Sequence, residues 1–307
     1  MENIPIKGQH AVPEETSPQP FCVGVNIGAI SVKAVALRGD DTFSSVKAHQ
    51  GRPLEVLDEM LAMEEFSGAD WFGVSGRRGH ISDVAAIERA LTEMGCDFDA
   101  VASLGGESFL IYLLANNRIA NVLSHNKCAA GSGEFFVQQI TRMKLTIEEA
   151  IERSFTGKVV PLASRCSVHC KSDITHKLNR NEANPEDILH TLHDSMADKV
   201  VSLLEKGQQE LKRLLVIGGV SQNAAFVSAL TEKFPSTEVV VGPESLCFEA
   251  WGCALLTRDD PRYDSPKISL QPVLESFPPL QCQAGRVQVI VPLSRQAPPG
   301  RSVGPRS

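Results

Sequence analysis

The sequence predicts an α/β protein, because between about residues 20 and 257 its apolar runs alternate between the period of strands and the period of helices. Two further observations frame that reading. Three of the predicted strands end in glycine turns, and nine of the 18 prolines fall between Pro261 and Pro305, where apolar periodicity fades. Residues 1–20 are therefore read as an N-terminal extension and 258–307 as a proline-rich C-terminal tail, with the folded unit at 21–257.

The first predicted element is a strand from Phe21 to Val25, broken at Asn26-Ile27-Gly28 and resumed over Ser31 to Leu37 as the second arm of a glycine hairpin. A helix follows from Pro53 to about Glu65, then a buried strand from Trp71 to Val74 ending at Gly76. The spacing next predicts a helix over Ser82 to Met94 with Ser82 as its cap. The hairpin then recurs as strand Ala100 to Leu104, turn Gly105-Gly106 and strand Phe109 to Leu114, with a third strand over Ile119 to Leu123. Helices are expected at about Gly133 to Met143, Thr146 to Arg153 and Pro185 to Glu205, the last with Glu186 and Asp187 behind its first-turn proline. Arg213 to Ile217 is a strand ending in Gly218-Gly219, followed by a helix from Asn223 to Lys233, a strand Glu238 to Val241 and a helix from Ser245 to Thr257.

The 307 residues carry 30 Lys+Arg against 37 Asp+Glu, a net charge of -7 with no basic stripe, which argues against nucleic acid as a partner. The longest apolar run, Phe109 to Ala115, falls far short of the roughly 20 residues that span a bilayer. The first twenty residues lack the apolar stretch of a secretion signal, so no membrane association and a cytoplasmic location are expected. In that compartment the eight cysteines stay reduced, and none forms a C-x-x-C pair.

Cys22, Cys96, Cys247 and Cys253 lie in apolar runs and read as core, and Cys282 falls in the tail. Cys128 and Cys166 differ. Cys128 precedes Gly131-Ser132-Gly133 and a helix whose positive end favours thiolate; Cys166 is placed in a loop after an apolar strand, Val159 to Leu162, with Arg165 beside it. These residue types leave three roles open: ordinary buried cysteines, thiolate ligands of iron, or a zinc site from Cys166, His169, Cys170 and either Cys128 or His125. His190 and His193 stand in a long amphipathic helix and read as solvated or partly packed, and no histidine is assigned to catalysis.

A strand that ends in glycine offers backbone N–H groups to a phosphate with no Cβ in the way. One such turn is commonplace. A hairpin glycine near the start, a second about 80 residues later and a strand-Gly-Gly-helix near the end together resemble the actin-like ATPase superfamily, with its ribonuclease H-like fold of two subdomains around a nucleotide cleft. Within it, residues 21–257 are similar to the activators of 2-hydroxyacyl-CoA dehydratases, the BadF/BadG/BcrA/BcrD ATPase family. The matching stretches are Asn26 to Lys33, Leu104 to Glu107, Asn126 to Gly133, Ser164 to Val168 and Gly218 to Asn223, of which Lys127-Cys128-Ala129-Ala130-Gly131-Ser132-Gly133 is the most specific.

The resemblance implies ATP or ADP with Mg2+, held by Gly28, Ser31 and Lys33 in the first phosphate loop, Gly105 and Gly106 in the second, and Gly218, Gly219 and Asn223 on the nucleoside side. It also implies a [4Fe-4S] cluster on Cys128 and Cys166, shared across a homodimer because two thiolates per chain are half of the four required. The implied role is ATP-dependent delivery of a low-potential electron, from a ferredoxin or flavodoxin-type donor, to an acyl-CoA dehydratase or reductase component. A nucleotide-binding module that does not hydrolyse, or a small-molecule kinase of the same superfamily, are the alternatives. The family usually has aspartates where this chain has Asn26, Ser103 and Ser108. Glu107, the acidic side chain left in the second hairpin, is then the candidate catalytic carboxylate, and weakened hydrolysis is expected. The chain reads as a divergent member, similar to the less typical module of larger two-module relatives.

Overall fold

A computed structural model describes residues 20–124, 132–163, 166–207, 211–264 and 288–292. Strand β1 (Cys22–Ile27) is buried at all six positions, as expected of a central strand covered on both faces. It pairs antiparallel with β2 (Ser31–Arg38), which pairs antiparallel with β3 (Asp41–Ala48). After α1 (Pro53–Leu61), which opens on its proline, β4 (Trp71–Gly76) returns parallel to β1. Helix α2 (Asp83–Met94) starts where the Ser82 hydroxyl accepts the Ala85 N–H at 3.2 Å and stops at left-handed Gly95.

The plan then repeats. Strands β5 (Ala100–Leu104), β6 (Phe109–Ala115) and β7 (Arg118–Ser124) form a second antiparallel meander. Four helices follow: α3 (Gly133–Met143), α4 (Ile147–Ser154), α5 (Ser167–Asn179) and α6 (Pro185–Gly207). Strand β8 (Arg213–Ile217) joins β5 in parallel, helix α7 (Ala224–Lys233) crosses over, and β9 (Glu238–Val240) pairs in parallel with β8. Helix α8 (Phe248–Asp259) closes the core, and β10 (Gln288–Pro292) pairs antiparallel with β3. The sheet orders are β10-β3-β2-β1-β4 and β7-β6-β5-β8-β9, so each lobe is a hairpin, a third antiparallel strand and a parallel strand beside the first.

Each lobe has its own core. Val23, Val25, Val32, Leu57, Met60 and Phe66 fill the first, and Leu104, Ile111, Phe136, Ile188, Val200 and Phe226 belong to the second. Helix α8 is docked on the first sheet backbone to backbone: a Cβ at Gly24 would stand 2.0 Å from the Ala250 carbonyl oxygen, and one at Gly252 would stand 1.9 Å from that of Ala86 in α2. No helix among the described residues is long and apolar enough to cross a membrane.

The structure departs from the sequence reading in several places. It adds β3 and α5, ends α1 at Leu61, and opens α8 with a short 3-10 turn over Ser245–Cys247. Residues 159–162 are not a strand; the Val160 N–H is held by Thr191 Oγ1 at 2.9 Å, and the Ala163 N–H by Asp173 Oδ2 at 3.0 Å. Cys96 is exposed, because it follows the turn at Gly95 that ends α2. His193 is buried rather than solvated, since its face of α6 packs under α4 and α7.

Candidate nucleotide site

The two hairpin turns and the Gly218-Gly219 turn face one cleft of about 630 Å³ between the lobes. Gly28, Ser31 and Lys33 line it from the first hairpin. Gly105, Gly106 and Glu107 come from the second, and Gly218, Gly219 and Asn223 from the turn after β8. The local backbone explains why these positions carry glycine. The Gly28 N–H donates to the Ser31 carbonyl at 3.0 Å and the Gly105 N–H to that of Ser108 at 2.9 Å, closing both turns tightly. Gly218 has φ of 89°, and a Cβ there would stand 2.5 Å from the Leu104 carbonyl oxygen. A Cβ on Gly106 would meet Ile30 Cγ1 at 2.0 Å, so the two hairpins touch across the cleft only because this residue has no side chain.

Glu107 is mostly exposed and pairs with Arg77 of the opposite lobe at 2.6 Å. Asn223 lines the cleft, yet both ends of its amide are engaged within the fold. Oδ1 accepts the Phe226 N–H at 3.1 Å as the cap of α7, and Nδ2 donates to His193 Nε2 at 2.9 Å. Nδ1–H of His193 therefore points to Ser154 Oγ, 2.7 Å away, and the ring stays neutral, with burial above all and then nearby His190 holding its pKa down to about 3. That network shapes the wall of the cleft at Asn223.

Sequence reasoning missed the charged groups at the floor. Asp83 in the first turn of α2 and Glu249 in the first turn of α8 both line the cleft. Glu249 Oε1 accepts from Ser103 Oγ at 3.0 Å, and Oε2 lies 4.0 Å from Lys33 Nζ. Asn26 Nδ2 donates to Ser75 Oγ at 3.0 Å and to Asp83 Oδ1 at 3.3 Å. Burial, and then the Glu249 charge, raise the Asp83 carboxyl above the ordinary carboxylate range. The only signal for Glu249 was a lone carboxylate in the apolar segment Phe248 to Thr257.

Cys128 lies outside the described residues. Cys166 is the residue before α5, partly exposed, and the N–H groups of His169 first and then Val168 lower its thiol pKa. The source of the thiolate preference is thus a helix start. Cys170, one turn on, is buried in the core of the second lobe. Among the described residues no three His, Cys, Asp or Glu side chains converge on a metal position, so Cys166, His169 and Cys170 do not assemble part of a zinc site.

A repeated β-hairpin sheet with a nucleotide-sized cleft between two lobes defines the actin-like ATPase and sugar kinase fold class. Solved structures of that class superimpose on the chain: the component A of (R)-2-hydroxyglutaryl-CoA dehydratase from Acidaminococcus fermentans has a TM-score of 0.70 over 78% of this chain and 98% of its own, at 21% identity. The activator of the 2-hydroxyisocaproyl-CoA dehydratase from Clostridium difficile, solved with bound ADPNP, has a TM-score of 0.69 over 78% of this chain and 94% of its own, at 26% identity. A 2-hydroxyisocaproyl-CoA dehydratase activator of Clostridioides difficile is 27% identical over 266 residues, 81% of this chain and 98% of that relative. The model of the BadF/BadG/BcrA/BcrD ATPase family matches residues 23–257, and the chain belongs to that family.

Proposed function

We propose that this chain is an ATP-dependent iron-sulfur activator that passes a low-potential electron to a 2-hydroxyacyl-CoA dehydratase or benzoyl-CoA reductase type partner. The observation that carries the reading is the pairing, in one chain, of a glycine-lined interlobe cleft with a thiolate-favouring Cys166 at a helix start. Gly28, Gly105 and Gly106, bare of side chains, let phosphate oxygens approach the hairpin backbone closely, while Lys33 balances their charge. Gly218 and Gly219 leave room for the nucleoside, beside an Asn223 that His193 keeps in place.

Cys166 and Cys128 hold the cluster in this reading, and a second copy of the chain supplies the other two thiolates. Cys166 fits that task, because its thiolate is favoured without burial. Val168, 72% exposed, and Val159, 58% exposed, flank it in sequence with apolar surface suited to a homodimer contact. When bound, the cluster supplies a one-electron carrier that a ferredoxin or flavodoxin-type donor reduces. ATP binding with Mg2+ draws the two lobes together through the Gly106 and Ile30 contact, which communicates cleft occupancy to the second lobe and its cysteine. The protein works in the cytoplasm.

Anaerobic purification followed by iron and acid-labile sulfide analysis tests the proposal. About four irons per dimer are expected from four thiolates. Cys166→Ser should abolish them and Cys96→Ser should not. Iron-free protein after anaerobic reconstitution overturns the reading.

A further inference from the structure

The floor of the cleft carries two carboxylates, Asp83 and Glu249, that the phosphate loops do not use. Glu249 is 7% exposed, and its Oε2 has no hydrogen-bond partner. Lys33 Nζ, at 4.0 Å, lies beyond hydrogen-bond length and offers attraction without a shared proton. A buried carboxylate oxygen left without a donor is costly, so a fold that keeps one in a ligand cleft keeps it for a cation or a donor that arrives from outside. Asp83 is the second carboxylate of the floor, and Lys33 balances only one of the two.

We infer that Glu249 supplies the carboxylate through which this cleft couples a divalent cation to the nucleotide phosphates, in place of the aspartates the family pattern puts at positions 26 and 103. The inference rests on the nucleotide reading of the cleft and assigns its charge to a different element. Magnesium is commonly held by one or two carboxylates together with phosphate oxygens and water. Oε1 of Glu249 is fixed by Ser103 and Oε2 has Lys33 nearby but no hydrogen-bond donor, which is the state of a carboxylate positioned for one more partner.

The neighbouring polar residues follow from this relocation. An aspartate at position 103 would stand against Glu249, whose Oε1 is 3.0 Å from Ser103 Oγ. An aspartate at position 26 would stand against Asp83, whose Oδ1 accepts from Asn26 Nδ2 at 3.3 Å. Serine and asparagine at these sites donate hydrogen bonds where aspartates would repel. The carboxylate at this point of the floor belongs to the start of α8, and the end of β5 supplies the hydroxyl that holds it. Without a cation, Glu249 repels the incoming phosphates and competes for Lys33; with one, the same charge binds the cation and Lys33 is left for the phosphates.

Calorimetric titration of the full chain with ATP, once in EDTA and once in saturating Mg2+, tests this directly. Wild type should bind ATP at least about tenfold more tightly with Mg2+, a coupling of ordinary size. In Glu249→Gln the factor should fall to about threefold or less, with ATP in EDTA bound more tightly than by wild type, because the repelling charge is gone. The double variant Ser103→Asp with Glu249→Gln returns the carboxylate to β5 and should recover the Mg2+ dependence. An unaltered Mg2+ dependence in Glu249→Gln overturns the inference while leaving the nucleotide cleft intact. If the single variant does not fold, the double variant decides alone: recovered coupling supports the relocation and absent coupling overturns it. A wild type that binds ATP under neither condition overturns both the inference and the cleft reading.

Discussion

Acidification should unfold this protein partly through His193. Its imidazole is 1% exposed and titrates at about 3 in the folded chain against 6.5 for the ordinary side chain. The folded pKa is depressed, so below the ordinary value the unfolded chain takes up a proton that the folded chain refuses. Stability is fully present above about 6.5 and drains away as the pH falls toward about 3. At pH 5 this one group should cost ~2 kcal/mol, a sizeable share of the 5–15 kcal/mol typical of a folded chain. Urea unfolding midpoints at pH 7.5 and pH 5.0, for wild type and His193→Gln, isolate the effect, because every other titrating group is common to both. Wild type should lose ~2 kcal/mol more than the variant across that interval. Equal losses would show that the ring is not the neutral, desolvated bridge between Ser154 and Asn223.

Gly24→Ala drives a Cβ into the backbone of α8, at 2.0 Å from the Ala250 oxygen and 2.3 Å from the Ala254 nitrogen, and should cost about 3 kcal/mol or more, read by thermal melting. Gly106→Ala should weaken ATP binding by wedging the hairpins apart at Ile30, and adding Ile30→Ala should restore it in the same titration; failure of that rescue would place the defect elsewhere. Arg77→Ala removes the partner of Glu107, but the side chains are 63% and 58% exposed, so a stability loss of about 1 kcal/mol or less is expected in urea.

Both hairpins were legible in the sequence, because tight turns closed by one backbone hydrogen bond carry glycine as their mark, at Gly28 and Gly105-Gly106. The parallel strands β4 and β8 were legible as short apolar runs ending in glycine. Strand β3 was not: Asp41 to Ala48 buries Ser44 and Ser45 at its centre and shows no apolar alternation. Helix α5 escaped because only Cys170 and Ile174 of its 13 residues are buried, too thin a stripe to read as a face. In the cleft, the glycines and Lys33 could be placed from local pattern, whereas Glu249 meets Ser103 from 146 residues away. Charge at a site can arrive by tertiary packing from an element whose own sequence reads as core.

The glycine contacts beneath α8 bear on selectivity. A helix seated on bare backbone at Gly24, and covered by α2 at Gly252, cannot slide or roll without steric overlap. The backbone of its first turn is thereby anchored as firmly as the sheet, and with Ser103 holding one oxygen the Glu249 carboxylate has limited freedom to follow a ligand of a different radius. A site so braced discriminates by size: ions whose preferred oxygen distances match a stationary partner are accepted, and larger ions must be accommodated on the opposite, hairpin side of the cleft. Calcium and magnesium, alike in charge, differ in that respect by several tenths of an ångström.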